Sequence, residues 1–508
     1  MNQGKELYAF IKSLSKAEQR YFKRLVQFGS GKTTTNTTII FDLLNGLEEW
    51  DEQVYLSKIP ASIPPNRLAV IHTRLFERLI QSLRLTQDNH LVDLQLRRFC
   101  SDIEILIDRK LYQSATKRLR KAIKLAKSFE RKAMLLELFR LEYRLQLNFD
   151  GLTKGQYVWD RLQERIQTAE ELARLTQAEV IDARIKLSFR NKSRKKPIPL
   201  AQSHDSNPPF PNPNSEFRAW SLQKRGVAMQ HYSKGEAREA LNIYDELLST
   251  WEKKRKWIDQ HPIEFFGILK NFLGLSLFLE DFEAFRSKLQ EYQTLKFRTP
   301  DLQERFMLIL YSKELNYAIN HLDFSDAIKV TEKVGKWLGE VSFISMAQRL
   351  STTYNILTFL FVNGEFKKAN RWLLEILNAS GKTERQDIRD FARVFQIVFQ
   401  TELNNPDLQE YLLRSSYRYL KRKSGYQDLE KLLIQFFRRH HKLSPGSNET
   451  HRSWQTLSLD LEQLRQSRSD QHLLGLNEIA YWVQSKIEGV SIREYFERMK
   501  REIYNPKS

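Results

Sequence analysis

Three aromatic residues, Phe282, Phe324 and Phe366, stand 42 residues apart, and each opens the same short pattern. In the clearest copy Gly364 precedes Phe366, and Ala369, Leu373 and Ile376 follow at i+3, i+7 and i+10. Gly364 supplies the positive φ that ends one helix, and the spaced apolar residues form one face of the next. This is the corner of a helical hairpin, in which a small Ala lets two helices cross closely while the ring plugs their open end. Asp323, Phe324 and Ala327 with Thr331 and Val334 repeat the corner, and Phe282, Phe285, Leu289 and Tyr292 repeat it more loosely. Self-similarity at such a period predicts a stack of helical units in which each touches chiefly its neighbours.

Related corners occur on both sides. Tyr112 with Ala115, Leu119 and Ala122 marks one, Tyr157 in Lys154–Tyr157 a weaker one with Asp160 in place of the Ala, and Gly235 with Ala237, Ala240 and Tyr244 another. A degenerate corner falls at Asn404–Leu408, where Pro406 suits the first turn of a helix. No Gly or Pro interrupts residues 156–196, so a tight polar turn is expected near Thr168, leaving a helix over 172–190 without an evident partner.

Gly364, Phe366, Ala369 and Leu373, with their equivalents, resemble tetratricopeptide repeats over about five to seven units and roughly two-thirds of the chain. The period here is 42 to 45 instead of that family's 34, which implies longer helices. The small residue nine positions before the corner residue is present as Ala228 but replaced by Leu315 and Leu357. The resemblance implies an all-α fold, a right-handed α-solenoid of hairpins, and a scaffold that binds proteins without catalysis.

The expected organisation has five parts. Residues 1–90 form an N-terminal helical domain, 91–190 helical hairpins, 191–215 a Pro-rich basic linker, 216–443 the solenoid, and 449–508 C-terminal capping helices. Within the first part, Ser15 and Glu18 read as a capping box for a helix ending near Phe28. A short helix over 51–59, a Pro-bounded turn and a helix opening at Asn66–Arg67 fit a helix-turn-helix, which makes a DNA-binding regulator the competing reading.

Charge is the strongest functional signal. Lys and Arg outnumber Asp and Glu by 82 to 62, a net charge of +20, and such an excess attracts polyanions: RNA, the ribosome, DNA, acidic protein tails or anionic membrane surfaces. Lys117, Arg118, Lys121, Lys124 and Lys127 lie opposite the apolar side of their helix. Arg414, Arg418, Lys421, Arg422 and Lys423 interleave with Tyr411, Tyr417 and Tyr419, with Arg438, Arg439 and Lys442 beyond. Cations neutralise phosphates and aromatic faces stack on bases. A third cluster, Arg190 to Lys196, opens the linker. The first helix of each hairpin lines a solenoid's inner surface, which places Arg225, Lys270, Ser312, Tyr354 and Gln396, then Met229, Gly274, Asn316, Thr358 and Gln400, along a polar groove suited to an acidic peptide or a C-terminal carboxylate.

Enzymatic chemistry is not expected, nor a cofactor or metal. Gly29–Thr34 ends like a phosphate-binding loop, but Val26 stands where that motif needs glycine or alanine, and a helix instead of a strand leads in. His440 and His441 diverge on a helix, and the lone Cys100 excludes an intrachain disulfide and a Cys-based zinc site. Neither a signal peptide nor a membrane span is evident, the apolar run 265–279 being short and holding Lys270. A cytoplasmic location and a protein or ribonucleoprotein partner are expected.

Overall fold

In the computed structural model the described residues are 3–30, 35–48, 50–87, 92–149, 155–190, 211–321, 324–379, 385–422, 428–441, 443–444, 446–467 and 473–504. Among them every regular element is a helix, with no strand. None of these helices is long and apolar enough to cross a membrane. They fall into two compact units, the described residues of 3–183 with 211–223 and those of 184–190 with 224–504.

The first unit opens with α1 (Gln3–Ser13), α2 (Lys16–Ser30), α3 (Asn36–Gly46), α4 (Glu52–Ser57) and α5 (Pro65–Gln87). The expected capping box forms: the Ser15 backbone N–H donates to Glu18 and the Glu18 N–H to the Ser15 hydroxyl. Pro65, not Arg67, starts α5, as suits a residue with no N–H to leave unpaired. The α5 face of Leu68, Ile71, Leu75, Leu79 and Leu83 organises the core, with α1, α2 and α3 packed against it. The connection from α4 to α5 runs over residues 58–64, longer than the three to four residues of a helix-turn-helix.

A buried Tyr55–His72 hydrogen bond of 2.6 Å ties α4 to α5. Burial lowers the His72 pKa from its ordinary value of 6.5. The unfolded chain therefore takes up the proton first, so this contribution to stability is complete above pH 6.5 and is lost as pH falls through the folded pKa below it. Hydrogen-exchange protection of α4 and α5 should drop on acidification below pH 6.5, and a His72→Gln variant should show a smaller drop over the same interval.

Next come α6 (Val92–Asp108), α7 (Tyr112–Ser128), α8 (Lys132–Phe149) and α9 (Gly155–Arg190). Helix α7 packs on both α6 and α8 through Ala115, Leu119, Ala122, Ile123 and Ala126, of which the three alanines allow a close crossing. The turn expected near Thr168 is absent, for α9 is one continuous helix of 36 residues. Thr168 is buried, and its hydroxyl donates back to the Glu164 carbonyl at 2.8 Å, a bond compatible with an unbroken helical ladder.

The remaining helices are α10 (Phe217–Ser233), α11 (Ala237–Lys253), α12 (Arg255–Gln260), α13 (Pro262–Phe278), α14 (Phe282–Gln293), α15 (Pro300–His321), α16 (Phe324–Glu340), α17 (Met346–Val362), α18 (Phe366–Asn378), α19 (Gln386–Glu402), α20 (Pro406–Arg422), α21 (Asp428–His440), α22 (Asn448–Ser467), α23 (Leu476–Glu488) and α24 (Ile492–Tyr504). From α13 onward each helix packs against the next in sequence.

The repeated corner has one backbone form. Gly235 and Gly364 take positive φ, and so do Lys110, Glu130, Glu280 and Asn404. In each case the following N–H bonds to a carbonyl five residues back, as Glu365 does to Leu360 and Asp281 to Ser276, which closes the helix with a Schellman motif. The corner rings then link successive hairpins: Phe282 to Tyr317 on α15, Phe324 to Phe359 on α17, and Phe366 to Phe399 on α19. Leu322 and Asp323 lie outside the described residues, as do Lys154, residues 191–210 of the Pro-rich stretch, Lys423, Lys442 and Pro445.

The C-terminal helices return to earlier parts of the chain. Helices α23 and α24 fold back onto α17, so they lie along hairpins that precede them in the chain by a hundred residues and more. Trp482 joins Phe437 of α21 and Trp454 of α22, and its indole N–H donates to Glu402 of α19 at 2.6 Å. Gly475, with φ of +78°, sits where an added Cβ would fall 1.9 Å from the Phe391 ring. Lys500 of α24 donates to the Ile319 carbonyl of α15, and Arg493 lies over the Phe324 ring.

Candidate anionic-partner interface

Helix α20 starts on Pro406 and buries Leu413 and Ser416, which turns Arg414, Arg418 and Lys421 to solvent. Helix α21 packs beside it and contributes Arg438 and Arg439, both exposed. Arg438 stacks over the Tyr417 ring at 4.8 Å, and Tyr417 lies between Arg414 and Lys421 on one side of α20. Arg438 thus joins Arg414 and Lys421 beside Tyr417, while Arg418 and Arg439 are exposed on the same two helices. Glu410 pairs with Arg414 and lies 3.8 Å from His441. The Arg414 guanidinium holds the Glu410 carboxyl below its ordinary pKa. Arg418, Lys421 and Arg439 form no ion pair with a described residue.

The interleaved tyrosines are mostly engaged already. Tyr417 is covered by Arg438, while Tyr419 is covered by Arg393 at 4.3 Å and donates its hydroxyl to Asp390. Tyr411 alone of the three is open, at 63 % exposure, and is the ring free to stack on a base. Arg422 ends α20, but its side chain is outside the described residues, like Lys423.

A second basic surface lies on α7 in the other unit. Lys117, Arg120, Lys121 and Lys124 are exposed on the side opposite the Ala-rich face, with no ion pair to a described residue. Arg118 and Lys127 differ, being held by Asp102 on α6 and Glu164 on α9.

The residues expected along a polar groove differ in exposure. Lys270 of α13 and Asn316 of α15 are exposed, and Ser312 and Gln396 are half-buried. Arg225, Tyr354, Thr358 and Gln400 are buried, which removes them from an open lining. Tyr354 is covered by the chain itself, since the α23 N-terminus reaches it. Burial raises the Tyr354 hydroxyl pKa well above its ordinary value, with the Glu478 carboxylate adding to the rise. Desolvation in turn pushes the Glu478 carboxyl up. Local periodicity assigns Tyr354 to the inner face of a hairpin, but nothing local encodes that residues 475–488 return to cover it. Lys313, absent from the sequence reading, lies against Gly274. Burial and the neighbouring Lys270 lower its pKa, which disfavours its charged form.

Among the described residues no three His, Cys, Asp or Glu side chains come together as a metal site. Burial and the nearby Glu137 and Glu104 push the Cys100 thiol up to about 11, which leaves it a weak nucleophile. A helix, α2, leads into Gly29–Thr34, whose last four residues are outside the described set. Set beside protein-family models, curated proteins and solved structures, the chain matches none of them.

Proposed function

We propose that the chain is a non-enzymatic, cytoplasmic scaffold, an α-solenoid of tetratricopeptide-like hairpins that binds a ribonucleoprotein through the RNA phosphates. The solenoid reading is supported by the recurring Schellman corner and by corner rings that link each hairpin to the next. The observation that carries the binding reading is the set of exposed cations on α20 and α21, Arg414, Arg418, Lys421, Arg438 and Arg439, of which Arg414 alone has an ion pair with a described residue. Exposed cations cost little to hold in water and release counterions when they meet phosphates. The coverage of Tyr354 by α23 argues against a peptide running the whole length of the inner surface.

Lysine acetylation footprinting tests this directly. Added single-stranded RNA should protect Lys421 and the α7 lysines Lys117, Lys121 and Lys124, while Lys329, paired with Asp326 on α16, should react as before. Unchanged reactivity at all four would defeat the reading.

A further inference from the structure

Helix α9 is amphipathic twice over. Val158, Thr168 and Ala178 bury its inner side. Its outer side carries Trp159, Leu162, Ile166, Ala169, Ala173, Thr176, Val180 and Ala183, spaced three and four residues alternately. That spacing is a heptad seam sustained for more than three repeats, the pattern by which one helix packs along another. Yet the seam faces water, with Trp159 at 58 %, Ile166 at 55 % and Val180 at 46 % exposure. At its N-terminal half, with Leu136 of α8, it walls a groove of about 550 Å³.

The order of side-chain sizes says what fits. Bulk lies at the first end of the seam and small residues at the other. When the seam is laid antiparallel on a copy of itself about residue 171, Trp159 meets Ala183 of the second copy, Leu162 meets Val180, Ile166 meets Thr176 and Ala169 meets Ala173. Large thus faces small in the outer layers, and alanines let the helices close at the centre. Arg165 lies opposite Glu179 of the second copy, a carboxylate that Arg218 of its own chain already pairs at 3.0 Å. Glu170 meets its own counterpart at the axis, a like-charge contact, since Arg174 one turn on is held by Glu216. A parallel pairing would instead stack Trp159 on itself and leave thin layers at Ala169, Ala173 and Ala183.

We propose that the outer face of α9 is the contact of an antiparallel homodimer. A single helix pair is at the low end of stable interfaces, about 1,200 Å², so a micromolar equilibrium is expected. Sedimentation equilibrium of the full chain from about 1 to 100 μM should show monomer passing to dimer. Ile166→Glu should raise the dissociation constant by about 100-fold or more by placing a charge in the seam, with circular dichroism unchanged because the site is exposed in the monomer. Glu170→Gln should tighten the dimer several-fold by removing the like-charge contact, a gain that misfolding cannot imitate. With Cys100→Ser as background, Ala169→Cys with Ala173→Cys should cross-link between copies under mild oxidation, and Ala173→Cys alone should not. A monomer across the whole range, or a dimer indifferent to Ile166→Glu, overturns the proposal; efficient cross-linking by Ala173→Cys alone overturns the antiparallel pairing.

Discussion

Trp482→Ala is expected to destabilise the second unit by about 3–5 kcal/mol, the cost of emptying a buried site of this size. Trp482 is fully buried at the meeting of α19, α21, α22 and α23, edge-on to Trp454 at 5.0 Å. Its loss also removes a donor from Glu402, leaving that carboxylate to Lys486. Trp482→Phe keeps much of the ring packing and loses the N–H, so a smaller cost of about 1–3 kcal/mol is expected. Because the chain has two units, a single unfolding midpoint would mix them. Hydrogen exchange in α17, α19 and α23 followed against urea reads the relevant transition. A cost below about 1 kcal/mol would mean that α23 docks loosely and that Tyr354 is open much of the time.

The hairpins were legible because their determinants are local. Gly364, Phe366, Ala369 and Leu373 carry turn and helix face within ten residues, and the corner conformation at Gly364 and Gly235 follows from glycine's freedom at positive φ. The same conformation at Lys110, Glu280 and Asn404 was not legible, since the six-to-one bond that closes the helix uses main-chain groups every residue has. The break expected near Thr168 failed because periodicity of about 42 residues was extended across a stretch where a hydroxyl back-bond accompanies continuing helix.

The basic surface was half legible. The side of α20 that faces out follows from buried Leu413 and Ser416, but that Arg438 would occupy Tyr417 and Arg393 would occupy Tyr419 depends on how α19, α20 and α21 pack. The return of α23 and α24 was not legible at all. Gly475 and Trp482 act through partners some 80 residues away, Phe391 and Glu402, and neither residue type announces such a contact by its spacing.

The second large effect concerns the α20–α21 surface itself. Reversing Arg414, Arg418 and Lys421 to Glu changes the local charge by six units on a surface where Arg414, 69 % exposed, pairs with Glu410 and no other described acid. All three sites are exposed, so the fold should persist, and affinity for single-stranded RNA should fall by about 100-fold at low salt. Counterion release gives the more specific signature. If about five phosphates are neutralised, log affinity should fall with log salt at a slope near −3.5, and the triple reversal should bring it nearer to −1.5.

Fluorescence anisotropy of labelled single-stranded RNA, titrated with the wild-type chain and the R414E/R418E/K421E variant from about 50 to 300 mM salt, is therefore the measurement to make. Steep salt dependence in the wild type that flattens in the variant is the predicted result. Absence of binding at the lowest salt, or a slope that the reversal leaves unchanged, would contradict an RNA-binding role for this surface.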